Sequence, residues 1–158
     1  MLHDGNIEMD PALNFQSPKL AEFLIYWQGK KGGRCFPARA DIAPREIQSW
    51  LPMISMYDVP AAGEEFSVRL IGTALGEILG NGDLRGRPIS AFPPLVSKRK
   101  NQALNWVLNT RSPLRTFFEK TAIPGQDFQS IEACYAPLSA NGSDIDVIIA
   151  LTQLGSRK

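Results

Sequence analysis

Glu132 is the one charge in an apolar run, Ile131-Glu-Ala-Cys-Tyr-Ala136. At the two-residue period of a strand it shares a face with Cys134 and Ala136. If that face points inward, the carboxylate needs a cationic partner or takes a raised pKa. A structural ion pair is the more frequent outcome, and contact with a ligand is the other. Arg69 poses a similar choice. It alternates with Phe66, Val68 and Leu70, so it points away from their face, and a pairing with Asp41 or Asp58 would anchor the front segment to the sheet. Asp41 lies three residues before Pro44, where it can also cap a short helix. The run Lys98-Arg99-Lys100 falls in the first turns of a helix, where the dipole disfavours cations. A solvated helix face is the plain reading, and a surface for an acidic partner is the functional one.

Other catalytic patterns are thin. The one histidine, His3, lies near the N-terminus, so the body of the chain cannot build a Ser-His-Asp or Cys-His site. Cys35 and Cys134 form no Cys-x-x-Cys pair, and no zinc or redox motif is expected. Cys134 reads as a small buried hydrophobe, Cys35 as the more exposed thiol. Gly29-Lys-Lys-Gly-Gly33 follows a helix and lacks the spacing of a phosphate loop. Seventeen basic and sixteen acidic residues give a formal net charge of +1, which argues against nucleic acid as a main partner. At 158 residues, 44% hydrophobic and 21% charged, the chain suits one soluble domain. With no signal-peptide pattern and no apolar run of about 20 residues, the cytoplasm is the expected location.

These residues must be positioned by a short series of elements. Residues 1–16 lack periodicity and are expected to be a mobile arm, with a single domain over 17–154. Ser17-Pro18 reads as an N-cap and first helical residue, and Gly32-Gly33 as the stop. Leu20, Phe23, Leu24 and Trp27 form the apolar stripe of that helix, widened by Ala21 and Ile25. Pro44 opens a short helix that ends before Pro52. Strands are expected over 53–59 and 66–71, joined through Pro60-Ala-Ala-Gly-Glu64. At Gly72-Thr73 the period changes to that of a short helix, ended by Gly80. A longer helix runs from Pro94 to about Asn109, with Val96, Ala103, Leu104, Val107 and Leu108 inward. Strands over 114–123, 128–139 and 145–154 finish the chain, turning at Pro124-Gly-Gln-Asp127 and Asn141-Gly142. The last is apolar on both faces, so the sheet needs cover on both sides. The sum is an α+β fold with a five-stranded antiparallel sheet.

Several short motifs carry a resemblance. They are Tyr26-Trp27, Arg34, Pro37-Ala-Arg-Ala-Asp-Ile-Ala-Pro44, Leu51-Pro52, Arg69-Leu-Ile-Gly-Thr73, Gly80, Asp83-Leu-Arg-Gly86 and Ala136-Pro-Leu-Ser139. Together they resemble the stand-alone PAS domain family of alphaproteobacteria over residues 20–153. The resemblance implies a sheet of order 2-1-5-4-3, a helical flank, an extra N-terminal helix and a pocket between sheet and flank. It implies signalling or sensing and not catalysis, and it names no ligand. Some PAS domains hold haem, but the long helix has neither histidine nor methionine to ligate it, and Met53 and Met56 read as core. The region that corresponds to the cysteine motif of flavin photoreceptors, Arg87-Pro-Ile-Ser-Ala-Phe92, has no cysteine. No haem and no covalently attached flavin are therefore expected, while reversibly bound flavin stays open.

Within that fold, the expected pocket lining is Met56, Val68, Leu75, Ile78, Leu79, Leu104, Leu108, Phe118, Glu132 and Ile149, holding a small apolar ligand. Only Gly155-Ser-Arg-Lys158 follows the last strand, so output is expected through a non-covalent contact. The N-terminal helix, with Leu20, Phe23, Leu24, Ile25, Tyr26 and Trp27, is the expected surface for a homodimer or a separate signalling protein. Replacing Ile25 and Tyr26 is expected to weaken association and spare the fold. The alternatives are a ligand-free dimerising adaptor and a small enzyme on a cone-shaped α+β fold, the latter disfavoured without a body histidine.

Overall fold

The computed structural model describes residues 7–79, 83–119 and 130–155. The expected Gly80 helix stop and the turn at 124–127 lie outside them. The N-terminal helix α1 spans Pro18–Lys31. Pro18 takes its first position and Ser17 has the extended backbone of an N-cap, but the Ser17 hydroxyl makes no capping bond. The backbone N–H groups of Gln16 and Ser17 donate instead to the two oxygens of Glu132, at 2.8 and 2.9 Å. At the other end Gly32 adopts φ +59°. Arg34 donates to the carbonyls of Lys30 and Lys31, closing the helix terminus.

The strands β2 (Ile54–Asp58) and β3 (Ser67–Ile71) form a hairpin. Helices α2 (Thr73–Leu79) and α3 (Pro94–Thr110) then cross the sheet. Strands β4 (Leu114–Phe118), β5 (Ser130–Leu138) and β6 (Val147–Gly155) return antiparallel. The expected five strands stand in the expected order, β3-β2-β6-β5-β4. A sixth, β1 (Glu8–Asp10), adds to the free edge of β4. The arm expected to be mobile over 1–16 is thus a paired strand at 8–10. Three residues carry too little pattern to announce a strand, and ion pairs described below hold it.

The expected single short helix from Pro44 is two 3₁₀ turns, Pro44–Ile47 and Leu51–Met53, with Pro52 inside the second. Asp41 accepts from the Ala38 N–H of its own turn and pairs with Arg34 at 2.7 Å, so it does not cap the Pro44 turn. Arg69 pairs with Asp58 at 2.9 Å.

β5 and β6 are buried on both faces, Ile131 to Ser139 and Val147 to Thr152 throughout. α1 covers one face against β5 and β6, and α3 covers the other against β4 and β5. Leu20, Phe23 and Trp27 of α1 are all buried. Burial of Leu20 and Phe23 contributes about 1.5–3 kcal/mol each. The Trp27 indole N–H donates to the Pro137 carbonyl at 2.8 Å, which fixes the helix along the sheet. Trp50 meets Phe23 and Tyr26 edge-on, so the front turns pack on α1.

Candidate functional site

The face of the sheet turned toward α2 and α3 carries a cavity of about 60 Å³. Strand register sets its floor. Thr116, Ala133 and Thr152 lie side by side across β4, β5 and β6, and Phe118, Ile131 and Leu154 form the next row. Ala133, short between two longer neighbours, leaves the space. Tyr135 borders the floor on one side and Ile7 on the other. Leu75, Ile78 and Leu79 of α2 and Val96, Arg99 and Lys100 of α3 close it from above. Neither threonine hydroxyl has a hydrogen-bond partner among the described residues.

Lys100 departs from the solvated face expected for the basic run. It is 7% exposed. The reason is helical phase: Val96, Lys100, Ala103 and Val107 follow one another at the four- and three-residue steps of one buried stripe. Its ammonium lies 5.2 Å from the Tyr57 ring centroid, 5.4 Å from Phe92 and 6.0 Å from Tyr135. No carboxylate among the described residues forms an ion pair with it. Three ring faces contribute about 0.5–2 kcal/mol each, against a desolvation cost of several kcal/mol for a buried ion. The cage therefore offsets much of the cost of burial without supplying a negative charge. Arg99 lies over the Phe118 ring at 3.9 Å, and burial pushes its guanidinium pKa down.

All three tyrosines of the chain are held neutral by their surroundings. Burial and the Glu46 carboxylate push Tyr26 up to about 12. Burial also raises Tyr57, bonded to the Ser55 hydroxyl at 2.9 Å, and Tyr135, where the Lys100 charge acts in the opposite sense. Above the ordinary tyrosine value of 10 the unfolded chain releases protons that the folded chain keeps. The stability these groups contribute is therefore complete below pH 10 and lost as pH rises beyond it. In an alkaline titration, tyrosinate absorbance is expected to appear only together with loss of circular dichroism. Tyrosinate forming near pH 10 in a folded protein would contradict this.

Of the ten expected lining residues, Leu75, Ile78, Leu79 and Phe118 meet at this cavity. Met56, Glu132 and Ile149 lie on the opposite face, toward α1. Met56 pairs directly with Ile149, while Tyr57 and Ile148 share the cavity side. β2 and β6 are apolar on both faces, so hydrophobicity carried no phase. Val68, Leu104 and Leu108 are not in the cavity wall, although Leu104 of α3 is fully buried. The polar members Arg99, Lys100, Thr116, Tyr135 and Thr152 were missed. A helical wheel of α3 would have placed Lys100 among its buried neighbours.

Glu132 does find a cationic partner. Arg115, 4% exposed, donates from Nε to Glu132 at 2.5 Å and also reaches Asp10 at 3.3 Å and Glu8 at 3.4 Å. This network ties β1 and the start of α1 to the sheet. Cys134 is buried beside it, on the face away from the cavity, and Cys35 is exposed. Neither thiol touches the cavity, so a cysteinyl flavin adduct does not fit these residues. On α1, Leu20, Phe23 and Trp27 are buried within the chain's own core and not available to a partner. Tyr26 donates to Glu46 at 2.7 Å and accepts from the Ala43 N–H, so it braces the front turns and its replacement would not spare the fold. Leu24 is half-buried, and Ile25 is 67% exposed. Among the described residues no cluster of three or more His, Cys, Asp or Glu could hold a metal ion. None of the described helices is long and apolar enough to cross a membrane.

No curated protein sequence matches the chain. Among solved structures, one described as an RNA-binding light-oxygen-voltage receptor is similar, with a TM-score of 0.47 and 14% identity. The similarity covers 75% of this chain and 36% of that one. The family model for the PAS domain matches residues 15–152, which takes in α1, α2, α3, the strands β2 to β5 and most of β6. The chain belongs to the PAS domain family.

Proposed function

We propose that this chain is a sensory or regulatory PAS module that binds a small, largely apolar ligand between the sheet and α2–α3. The observation that supports the reading is the cavity itself. Its wall is mainly apolar and carries a few converging polar groups, the pattern of a ligand site. Occupancy would act on α2 and α3, which rest on the ligand, and so change the surface those helices show to a partner. In this reading the module performs no chemistry of its own and works in the cytoplasm without haem or covalent flavin. The motif pattern described above supports placing it with the stand-alone alphaproteobacterial members.

One observation favours a second reading. The cavity, about 60 Å³, is small beside the 300–1,000 Å³ of typical ligand pockets. A core filled by its own side chains would suit a ligand-free dimerising adaptor, with Ile25 on the outer side of α1 as a contact. Native mass spectrometry of the purified chain, compared with the denatured chain, separates the two. A mass excess lost on denaturation is expected for the sensor. A dimer with no mass excess would favour the adaptor.

A further inference from the structure

We propose that the cavity recognises a short-chain monocarboxylate, its carboxylate on Lys100 and its chain against Leu75, Ile78 and Phe118. The inference deepens the ligand-sensing reading above and rests on it. Three observations carry it. Lys100 is buried and lines the cavity, held among three aromatic rings and paired with no carboxylate of the described residues. Such a site is prepared for a counter-charge from outside the chain. The hydroxyls of Thr116 and Thr152 stand on the floor with no partner among the described residues, able to donate to a carboxylate oxygen. Arg99 and Tyr135 also border the cavity, and the remaining wall, from Ile7, Leu75, Ile78 and Leu79 to Phe118 and Leu154, is apolar, so the anion must carry a hydrocarbon body.

Size sets the class further. One water occupies roughly 10–15 Å³ of such space, so a cavity of about 60 Å³ holds about four to six water positions. Butyrate has about six non-hydrogen atoms, whereas a long-chain acid does not fit. A phosphate or sulfate has the charge but would leave the apolar wall unfilled.

Isothermal titration calorimetry of the full chain with butyrate, butyramide and sulfate tests the inference. Butyrate is expected to bind at least about tenfold more tightly than the neutral, isosteric butyramide, because a charge-assisted bond to Lys100 is lost with the amide. Sulfate is expected not to compete. Lys100→Met should keep the fold, since an apolar group of similar length replaces a buried ion, and should remove the preference for butyrate. Thr116→Val, close in volume, should weaken butyrate about threefold or more. The comparison of butyrate with butyramide needs no variant, so it decides even if a variant fails to fold. Equal binding of the two would overturn carboxylate recognition and leave ligand sensing standing. A ligand that survives purification while butyrate does not bind would have the same effect. No binding of any probe, with no retained ligand, would remove both readings together.

Discussion

Replacing Glu132 with alanine is expected to lower stability by about 3–5 kcal/mol, the cost of leaving a buried charge without its partner. Arg115 is 4% exposed and Glu132 6%, so water cannot substitute for the lost carboxylate. Asp10 and Glu8 remain, but at 3.3 and 3.4 Å they are longer contacts, and the Glu8 side chain is 62% exposed. The N–H groups of Gln16 and Ser17 lose their acceptors in the same step. The melting temperature should fall by roughly 6–20 °C, at about 2–4 °C per kcal/mol for a chain of this size. Glu132→Gln keeps an acceptor and should cost less. The double change Glu132→Leu with Arg115→Met should recover much of the loss, because the unpaired buried guanidinium is gone and Asp10 still accepts from the Ala12 and Asn14 N–H groups. Hydrogen exchange should quicken first at residues 7–17, the segment that the network ties down. A loss below about 1 kcal/mol for Glu132→Ala would show that the pair does not hold the segment.

The character of Glu132 was legible in the sequence as a charge inside an apolar strand, and its partner was not. Arg115 sits 17 residues away on a neighbouring strand, and only register brings the two together. The same distinction runs through the molecule. α1, its stripe and its glycine stop follow from local pattern, and so does the Asn141-Gly142 turn, whereas the strand order followed only from the family resemblance. Gly142 adopts φ +81°, as the turn requires. The phase of β2 and β6 did not follow, because a strand covered on both faces shows no alternation. β1 did not follow either, since it is held by ion pairs to a distant residue. At Lys100 composition misled: three successive cations suggest a wet surface, but the period of α3 assigns the third to the core. Less than a third of the cavity wall was therefore visible, as apolar positions on α2 and β4, while the polar groups that give it chemical character were hidden by that reading.

Gly72→Ala is expected to cost about 3 kcal/mol or more, from an added methyl that has nowhere to go. Gly72 is buried where β3 turns into α2. Its N–H donates to the Ile54 carbonyl at 2.7 Å, and its own carbonyl accepts from Gly76 at 2.9 Å. A Cβ built on it would run into the backbone carbonyls of Leu51 and Pro52. Those atoms belong to the 3₁₀ turn Leu51–Met53, stiffened by the proline ring, and cannot swing aside as a flexible side chain would. Overpacking alone costs about 1–3 kcal/mol, and shifting the chain would also strain the bond to Ile54, worth about 1 kcal/mol. The change of period at Gly72-Thr73 marks the turn, but the need for glycine comes from a segment some 20 residues earlier in the chain. Gly29→Ala is the control. Its Cβ meets nothing within 4 Å, and alanine in a helix is favoured by about 0.8–1 kcal/mol, so that variant should gain stability. A Gly72→Ala protein that melts within about 1 °C of the parent would show that the turn yields easily. If it yields only partly, α2 moves. Leu75, Ile78 and Leu79 then shift over the cavity, so ligand affinity should change together with stability.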